Sequence, residues 1–312
     1  MPALFVTNVA TRYPLRAIDM QKNDLLTRRR ILLALAALPL ARGAGAAEDV
    51  DAKRTGGPYV PTPQVVVDEM LRIGKVGPAD YVVDLGSGDG IIVLTAATRL
   101  KARGFGVDID PELVKRANAE AKKRGVSDRA SFHVQDVFKA DISKATVVTL
   151  YLLPGMMVDL RPKILAELRP GTRVVSHDYH FADWVPEDQY SWDVPEKEKV
   201  NGVPRATVYL WYVPARVAGR WQVRMGPPGE AQYELTLSQT YQDIDGSVSG
   251  SGLRGAKLTQ SRLHADEISF AFTSGRDRHL FRGRVSDDSM EGTVQLAGGK
   301  GAAKWTATRV KA

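Results

Sequence analysis

The sequence predicts an α/β domain built on a mostly parallel sheet, followed by a small all-β domain. Three observations carry this. Between Tyr81 and Val213 short apolar runs alternate with stretches of helical spacing. A glycine-rich turn, Gly86-Ser-Gly-Asp-Gly90, joins the first of those runs to a helix. After Pro214 the helical spacing stops, and short alternating runs separated by Gly, Asp and Ser take over.

The elements follow in order. Tyr59-Val-Pro-Thr-Pro63 is an extended lead-in, because proline disfavours helix in the residue before it. Over Gln64–Ile73 the apolar positions 66, 67, 70, 71 and 73 fall at helical spacing, and Gly74 ends the run. Strands are predicted at 81–85, 104–108, 131–135, 146–152 and 172–176. Helices are predicted from Ile91, over Pro111–Arg124 and at about 155–168. Apolar strands alternating with helices imply a sheet covered on both faces. A late strand at 206–213 is expected to pair antiparallel with one around 190–200. From 216 onward the runs predict an up-and-down barrel or a sandwich. Its opening Gly219-Arg-Trp221 and closing Trp305-Thr-Ala-Thr-Arg309 resemble the ends of calycin-like barrels.

Composition bounds the partners. The formal net charge is +7, but residues 1–46 hold seven basic residues against two acids, leaving +2 for the rest. No basic patch is interleaved with aromatics, so nucleic acid is not an expected partner. The chain has no cysteine, which excludes disulfides, a cysteine nucleophile and thiolate metal sites. The five histidines are scattered, and no metal site is expected. Thr27-Arg-Arg-Arg-Ile-Leu32 resembles the twin-arginine export motif. Ile31–Ala41 is an apolar run too short to span a bilayer as a helix, and Ala44-Gly-Ala46 offers small residues for cleavage. The organisation expected is a signal segment at 1–46, with Met20 as a second candidate start, and a polar linker at 47–57. An α/β domain over 58–214 and a β domain over 215–312 follow. The expected location is the periplasm or cell envelope, with membrane contact only through the signal segment, or the cytoplasm if the signal is not used.

The glycine turn sets the chemistry. A strand, a turn rich in glycine and a helix N-terminus present backbone N–H groups to a nucleotide. A dinucleotide fingerprint would place its third glycine at 91, where the chain has Ile. The pattern is Asp84-x-Gly86-x-Gly88-x-Gly90, with an acid two residues before the first glycine. A pyrophosphate would be repelled by that acid. S-adenosylmethionine carries an ammonium and a sulfonium and no phosphate, so Asp84 can face its methionine end. Asp108, at the end of the second strand, lies 22 residues after Gly86, near the offset of a ribose-binding acid. Asp136 follows the third strand, placed for the adenine amino group. Singly, each acid reads equally well as a cap or turn former; three at successive strand ends beside a glycine loop read as a cofactor site. Ser87, Ile109 and Val137 flank them and complete the expected cofactor set.

With those motifs in place, residues 58–213 resemble class I S-adenosylmethionine-dependent methyltransferases. Within that class they are most similar to the protein-lysine methyltransferases that act on the c-ring protein of ATP synthase and the adenine-nucleotide translocator, and to their short archaeal relatives. The resemblance rests on Pro58-Tyr-Val-Pro-Thr-Pro63, Asp84-Leu-Gly-Ser-Gly-Asp-Gly90, Gly106-Val-Asp-Ile-Asp-Pro111, Leu150-Tyr-Leu-Leu-Pro-Gly-Met-Met157 and Val174-Val-Ser-His-Asp178. It implies a Rossmann-like methyltransferase domain, S-adenosylmethionine as cofactor and a protein lysine as acceptor. After the fourth strand the chain has Tyr151-Leu-Leu-Pro154, without the amide or acid that would grip a planar amine. A lysine amine needs mainly a narrow channel and alignment, and orientation is worth about 7–11 kcal/mol to such a reaction. Tyr59, Tyr151 and His177 are the candidates for that channel, with Asp178 placed to orient His177. Two other readings stay open at this point: a small-molecule methyltransferase, and a non-catalytic cofactor- or ligand-binding protein of the envelope.

Overall fold

The structure, a computed structural model, describes residues 57–227, 230–296 and 301–311, all within one compact unit spanning Ala44–Ala312. The expected signal segment and nearly all of the linker lie outside the described residues.

Helix α1 (Gln64–Ile73) leads into β1 (Tyr81–Leu85), α2 (Ile91–Arg99), β2 (Arg103–Asp108), α3 (Pro111–Lys123), β3 (Ala130–Val134), β4 (Val147–Leu150), α4 (Pro154–Glu167) and β5 (Arg173–His177). A hairpin of β6 (Asp188–Asp193) and β7 (Arg205–Tyr212) follows, with the short helix α5 (Pro195–Asn201) between its strands. The sheet order is β3-β2-β1-β4-β5-β7-β6. The first five strands are parallel, and β7 pairs antiparallel with both β5 and β6. Strand β4 is buried at all four positions and β1 at four of five, as a sheet covered on both faces requires. The apolar stripe of α1, Val66, Val67, Met70, Leu71 and Ile73, packs with α2 and α3 on one face. Helix α4 covers the other through Met157, Leu160 and Ile164, beside Phe181, Trp184 and Trp211. In α3 the Asp110 carboxylate accepts from the Glu112 and Leu113 N–H groups, and Pro111 occupies the first turn.

Nine antiparallel strands make up the second sheet: β8 (Gly219–Met225), β9 (Ala231–Thr240), β10 (Asp243–Gly250), β11 (Leu253–Lys257), β12 (Thr259–His264), β13 (Glu267–Ser274), β14 (Asp277–Ser286), β15 (Ser289–Gln295) and β16 (Ala302–Arg309). Their order, β11-β10-β9-β8-β16-β15-β14-β13-β12, is a meander bent into a nearly closed barrel. The Leu258 N–H bonds the Gly246 carbonyl and draws the β11–β12 connection back onto β10. Burial alternates residue by residue along β9 and β16, so one face fills the interior. That interior is apolar and aromatic, with Phe270 stacked on Phe281 at 4.8 Å between ring centroids. The guanidinium of Arg309 lies 4.2 Å over the Trp221 ring, bringing together the two ends of the domain.

The barrel is fastened to the α/β domain. Trp184 Nε1 donates to Gln242 Oε1 at 3.0 Å, and Gln242 Nε2 donates to the Val185 carbonyl at 2.8 Å. Tyr241 stacks on Trp184 and donates its hydroxyl to Asp183 at 3.0 Å. Trp184, buried with Phe181 and Trp211 against the sheet, is thus also a joint between the domains.

Candidate active site

The site lies at the carboxyl ends of β1, β2, β4 and β5. The turn after β1 is tied to β2 by Gly86 and Ser87, whose N–H groups both bond the Val107 carbonyl at 2.9 Å. Gly86, Gly88 and Gly90 all have positive φ, at 80°, 52° and 81°. At all three space matters as well, since a Cβ on Gly86 would stand 2.6 Å from the Leu152 side chain. A Cβ on Gly90 would stand 2.6 Å from the Phe132 ring, and one on Gly88 would stand 2.5 Å from the Tyr59 ring. The lead-in segment therefore lies across the glycine turn, and its other end, Gly57, packs on Leu153 beyond β4. Gly88→Ala is expected to cost about 1–2 kcal/mol for the left-handed backbone and to push Tyr59 off the turn. Because the Tyr59 ring is a movable end, the double variant with Tyr59→Ala should add no further loss of cofactor affinity in calorimetry. Two fully additive losses would show that Tyr59 and the turn act apart.

The carboxylates are held in different ways. Asp84 is buried, and its Oδ1 accepts from the Thr149 hydroxyl of β4 at 2.6 Å. Burial pushes its pKa up to about 7, against the Thr149 bond, with the Asp108 and Asp89 charges adding to the rise. Asp108 Oδ2 accepts from the Gly88 N–H at 2.8 Å, and Oδ1 from the Asp110 N–H at 3.0 Å. Each oxygen keeps a lone pair for a further donor. Asp136 accepts from the Phe138 N–H at 2.9 Å. Ile109 is exposed, whereas Val137 is buried in the core beneath α4. The Ser87 hydroxyl is buried beside Gly106 without a partner. A glycine cradle too tight for any Cβ, acids with unused lone pairs and an orphaned hydroxyl fit an adenosyl group bearing positive charge and no phosphate.

Beyond β4 and β5 a second cluster forms. The Tyr151 and His177 rings lie 4.0 Å apart, with Tyr179 stacked on Tyr151 at 6.2 Å. Asp178 adopts a left-handed φ of 61° and is locked to β7 by two bonds with the Thr207 backbone. Its Oδ2 takes Lys197 Nζ at 2.8 Å and lies 3.5 Å from the Tyr151 hydroxyl. Lys197 is buried and also donates to the Arg205 carbonyl. His177 Nε2 is 3.4 Å from Asp178 Oδ1, yet neither ring nitrogen makes a hydrogen bond. Burial lowers the His177 pKa to about 4, so the ring is neutral at physiological pH. Burial also raises the Tyr59 and Tyr151 hydroxyls above the usual phenol range, helped by Asp89 and Asp178 respectively.

Sequence reasoning missed Thr149, Lys197 and the whole of α5. Thr149 sits inside an apolar strand, and Lys197 in a charged stretch, Pro-Glu-Lys-Glu-Lys, that reads as solvated. Only the packing of α5 on β7 shows that this lysine turns inward.

A mostly parallel sheet with an acid-flanked glycine turn after β1 and an acid closing β2 defines a class I S-adenosylmethionine-dependent methyltransferase domain. The ANTKMT methyltransferase domain family matches residues 84–188. A protein-lysine N-methyltransferase of Saccharolobus islandicus is 43% identical over 157 residues, spanning 50% of this chain and 93% of that enzyme. The lysine N-methyltransferase of Xenopus laevis that is named for the c-ring protein of ATP synthase is 34% identical over 42% of this chain. The mouse adenine nucleotide translocase lysine N-methyltransferase is 34% identical over 41%. The chain spans 57% and 56% of those two relatives. Among solved structures, an RNA methyltransferase from Salinibacter ruber in complex with S-adenosyl-L-homocysteine is 47% identical over 51% of this chain and 96% of that one, with a TM-score of 0.45. The chain belongs to the protein-lysine N-methyltransferase family that the archaeal enzyme represents. The family match ends before β7 and leaves the barrel outside it.

Proposed function

We propose that this chain methylates a lysine side chain of a protein, and that its N-terminal segment directs it to the cell envelope. The observation that carries the first part is the 43% identity across nearly the whole of the archaeal protein-lysine enzyme. S-adenosylmethionine supplies an electrophilic methyl group, which an unprotonated amine accepts. On this reading Asp108 holds the ribose, Asp136 the adenine, and Asp84 with the glycine turn the methionine end. Tyr59 and Tyr151 wall the acceptor channel. His177, buried under Tyr151, acts as a positioning residue that keeps the Tyr151 ring in place, and the Asp178–Lys197 pair fixes the hydroxyl end.

The tyrosines stay protonated and His177 stays neutral with little basicity, so no member of this wall is matched to take the lysine proton near neutral pH. Asp84, with its pKa raised to about 7, is buried on Thr149 at the methionine end, so on this reading the amine sheds its proton to solvent. The rate at subsaturating acceptor is expected to rise about tenfold per pH unit from 6.5 to 8.5, towards the ordinary lysine pKa. A plateau beginning below pH 7.5 would point to a base within the protein.

Labelled methyl transfer into a lysate of the parent cell tests the acceptor. Label should enter protein and appear as methyl-lysine after hydrolysis; label in RNA or in the low-mass fraction would overturn the lysine reading. Cell fractionation tests the location. A shortened envelope form is expected, and an uncleaved cytoplasmic pool would overturn it.

A further inference from the structure

The outer face of the barrel carries an ordered row of side chains that the cofactor chemistry does not use. Strand register aligns Arg262 with Ser269, Ser269 with Arg282, Arg282 with Thr293, and Thr293 with Lys304. The row crosses five strands, β12 to β16, as cation, hydroxyl, cation, hydroxyl, cation. Among the described residues none of its three cations has a hydrogen-bonded or ion-paired side-chain partner. The neighbouring row is different: Glu267, Arg284 and Glu291 alternate in charge, and Arg284 bonds Glu267 at 2.6 Å and Asp266 at 2.8 Å. Both rows line an open groove of about 820 Å³.

Gly283 faces Gly292 across β14 and β15, and both line the groove. A Cβ on Gly292 would stand 2.0 Å from the Arg282 carbonyl, and one on Gly283 would stand 2.4 Å from the Glu291 carbonyl. One end of the groove reaches the methyltransferase domain, where His264 lies 3.2 Å from Glu187 and packs on Tyr212.

We propose that this groove binds an extended acidic segment of the protein that the enzyme methylates; naming that protein as the partner rests on the lysine reading above. Strands lie about 4.8 Å apart, so successive cations of the row stand about 10 Å apart. A polyproline II segment returns to the same face every third residue, about 9.3 Å along. Carboxylates three residues apart thus meet the three cations in turn, while the Ser269 and Thr293 hydroxyls stand between them, opposite the peptide backbone. Other polyanions fit less well. Among the described residues the one tryptophan, tyrosine or phenylalanine lining the groove, Trp305, is buried, so unpaired bases have no stacking platform. Glu291 stands beside the row and repels a densely charged strand. A concave groove also cannot lie against the flat face of a bilayer.

Fluorescence anisotropy on the full chain tests this, with a labelled repeat of Pro-Pro-Glu as the probe. The Pro-Pro-Gln repeat, an oligothymidylate and phosphatidylserine vesicles serve as comparators. The Glu repeat should bind at low salt and weaken as salt rises, and the Gln repeat should bind at least tenfold more weakly. The exposed-site variant R262Q/R282Q/K304Q should lose at least tenfold in affinity, while R282K, which keeps the charge, and K122Q on α3 stay within about twofold. Equal binding by the triple variant, or no preference for the Glu repeat, overturns the proposal. Tighter binding of the oligonucleotide or of the vesicles, abolished in the triple variant, reassigns the row to nucleic acid or to lipid and overturns it equally. Because this assay involves no methyl transfer, a wrong acceptor would leave its result unchanged and would show only in the labelling experiment.

Discussion

Replacing Asp84 by Asn is expected to stabilise the cofactor-free protein above pH 7 by roughly 2–4 kcal/mol, and to weaken S-adenosylmethionine binding at the same time. The buried carboxyl has its pKa pushed up to about 7, above the ordinary aspartate value near 4. Between those values the folded state holds a proton that the unfolded state has lost, so stability falls as pH rises through that window. Above pH 7 the charge is present in both states, and the folded state carries the full cost of burying it. Asn keeps an acceptor for the Thr149 hydroxyl and removes that cost. His177 works in the opposite direction. Its pKa is lowered to about 4, so the unfolded state takes up a proton from about pH 6.5 downward while the folded state does not. Stability is then lost on acidification and is fully present above about pH 6.5.

In the parent protein the two effects oppose each other between pH 4 and 6.5. Chemical denaturation of the parent, Asp84→Asn and His177→Gln proteins across pH 4.5 to 8 separates them. Asp84→Asn should show the steepest loss on acidification, and His177→Gln the smallest. Parallel curves for all three would mean that neither group is buried in the form described. A destabilised Asp84→Asn at pH 8 would mean that the charge is compensated by a group outside this site.

Asp108→Ala is expected to lower cofactor affinity by roughly 1–3 kcal/mol, the scale of hydrogen bonds to a charged group. On the proposed ribose role the loss has two sources: the ribose partner goes, and so does the clamp on the Gly88 and Asp110 N–H groups. Asp108→Asn keeps one acceptor oxygen, and its second position can only donate, so it should fall between the parent and Ala in calorimetry. An Asp108→Ala protein that binds S-adenosylmethionine as tightly as the parent would remove Asp108 from the cofactor site.

The methyltransferase domain was legible because its signals are local. Helix α1 falls at Gln64–Ile73, where its apolar spacing places it, and the glycine turn falls between β1 and α2 with all three glycines left-handed. The barrel was legible as a succession of strands, but two short ones, β11 and β12, were not. Leu253-Arg-Gly-Ala-Lys and Thr259-Gln-Ser-Arg-Leu-His show no clear alternation, since they form the seam where the barrel nearly closes. Sequence placed Asp84 at the methionine end of the cofactor but did not show that it is buried and held by the Thr149 hydroxyl.

By itself the sequence determined the cofactor class, the parallel sheet and the family, because glycine spacing, strand-end acids and apolar period are properties of neighbours in the chain. Only the tertiary structure decided that Thr149 holds Asp84 and Gly88 holds Asp108, that Lys197 turns inward to Asp178, and that Arg262, Arg282 and Lys304 fall in one row. Those relations join residues 19 to 65 positions apart, and side-chain burial and strand register, which no local pattern encodes, set them.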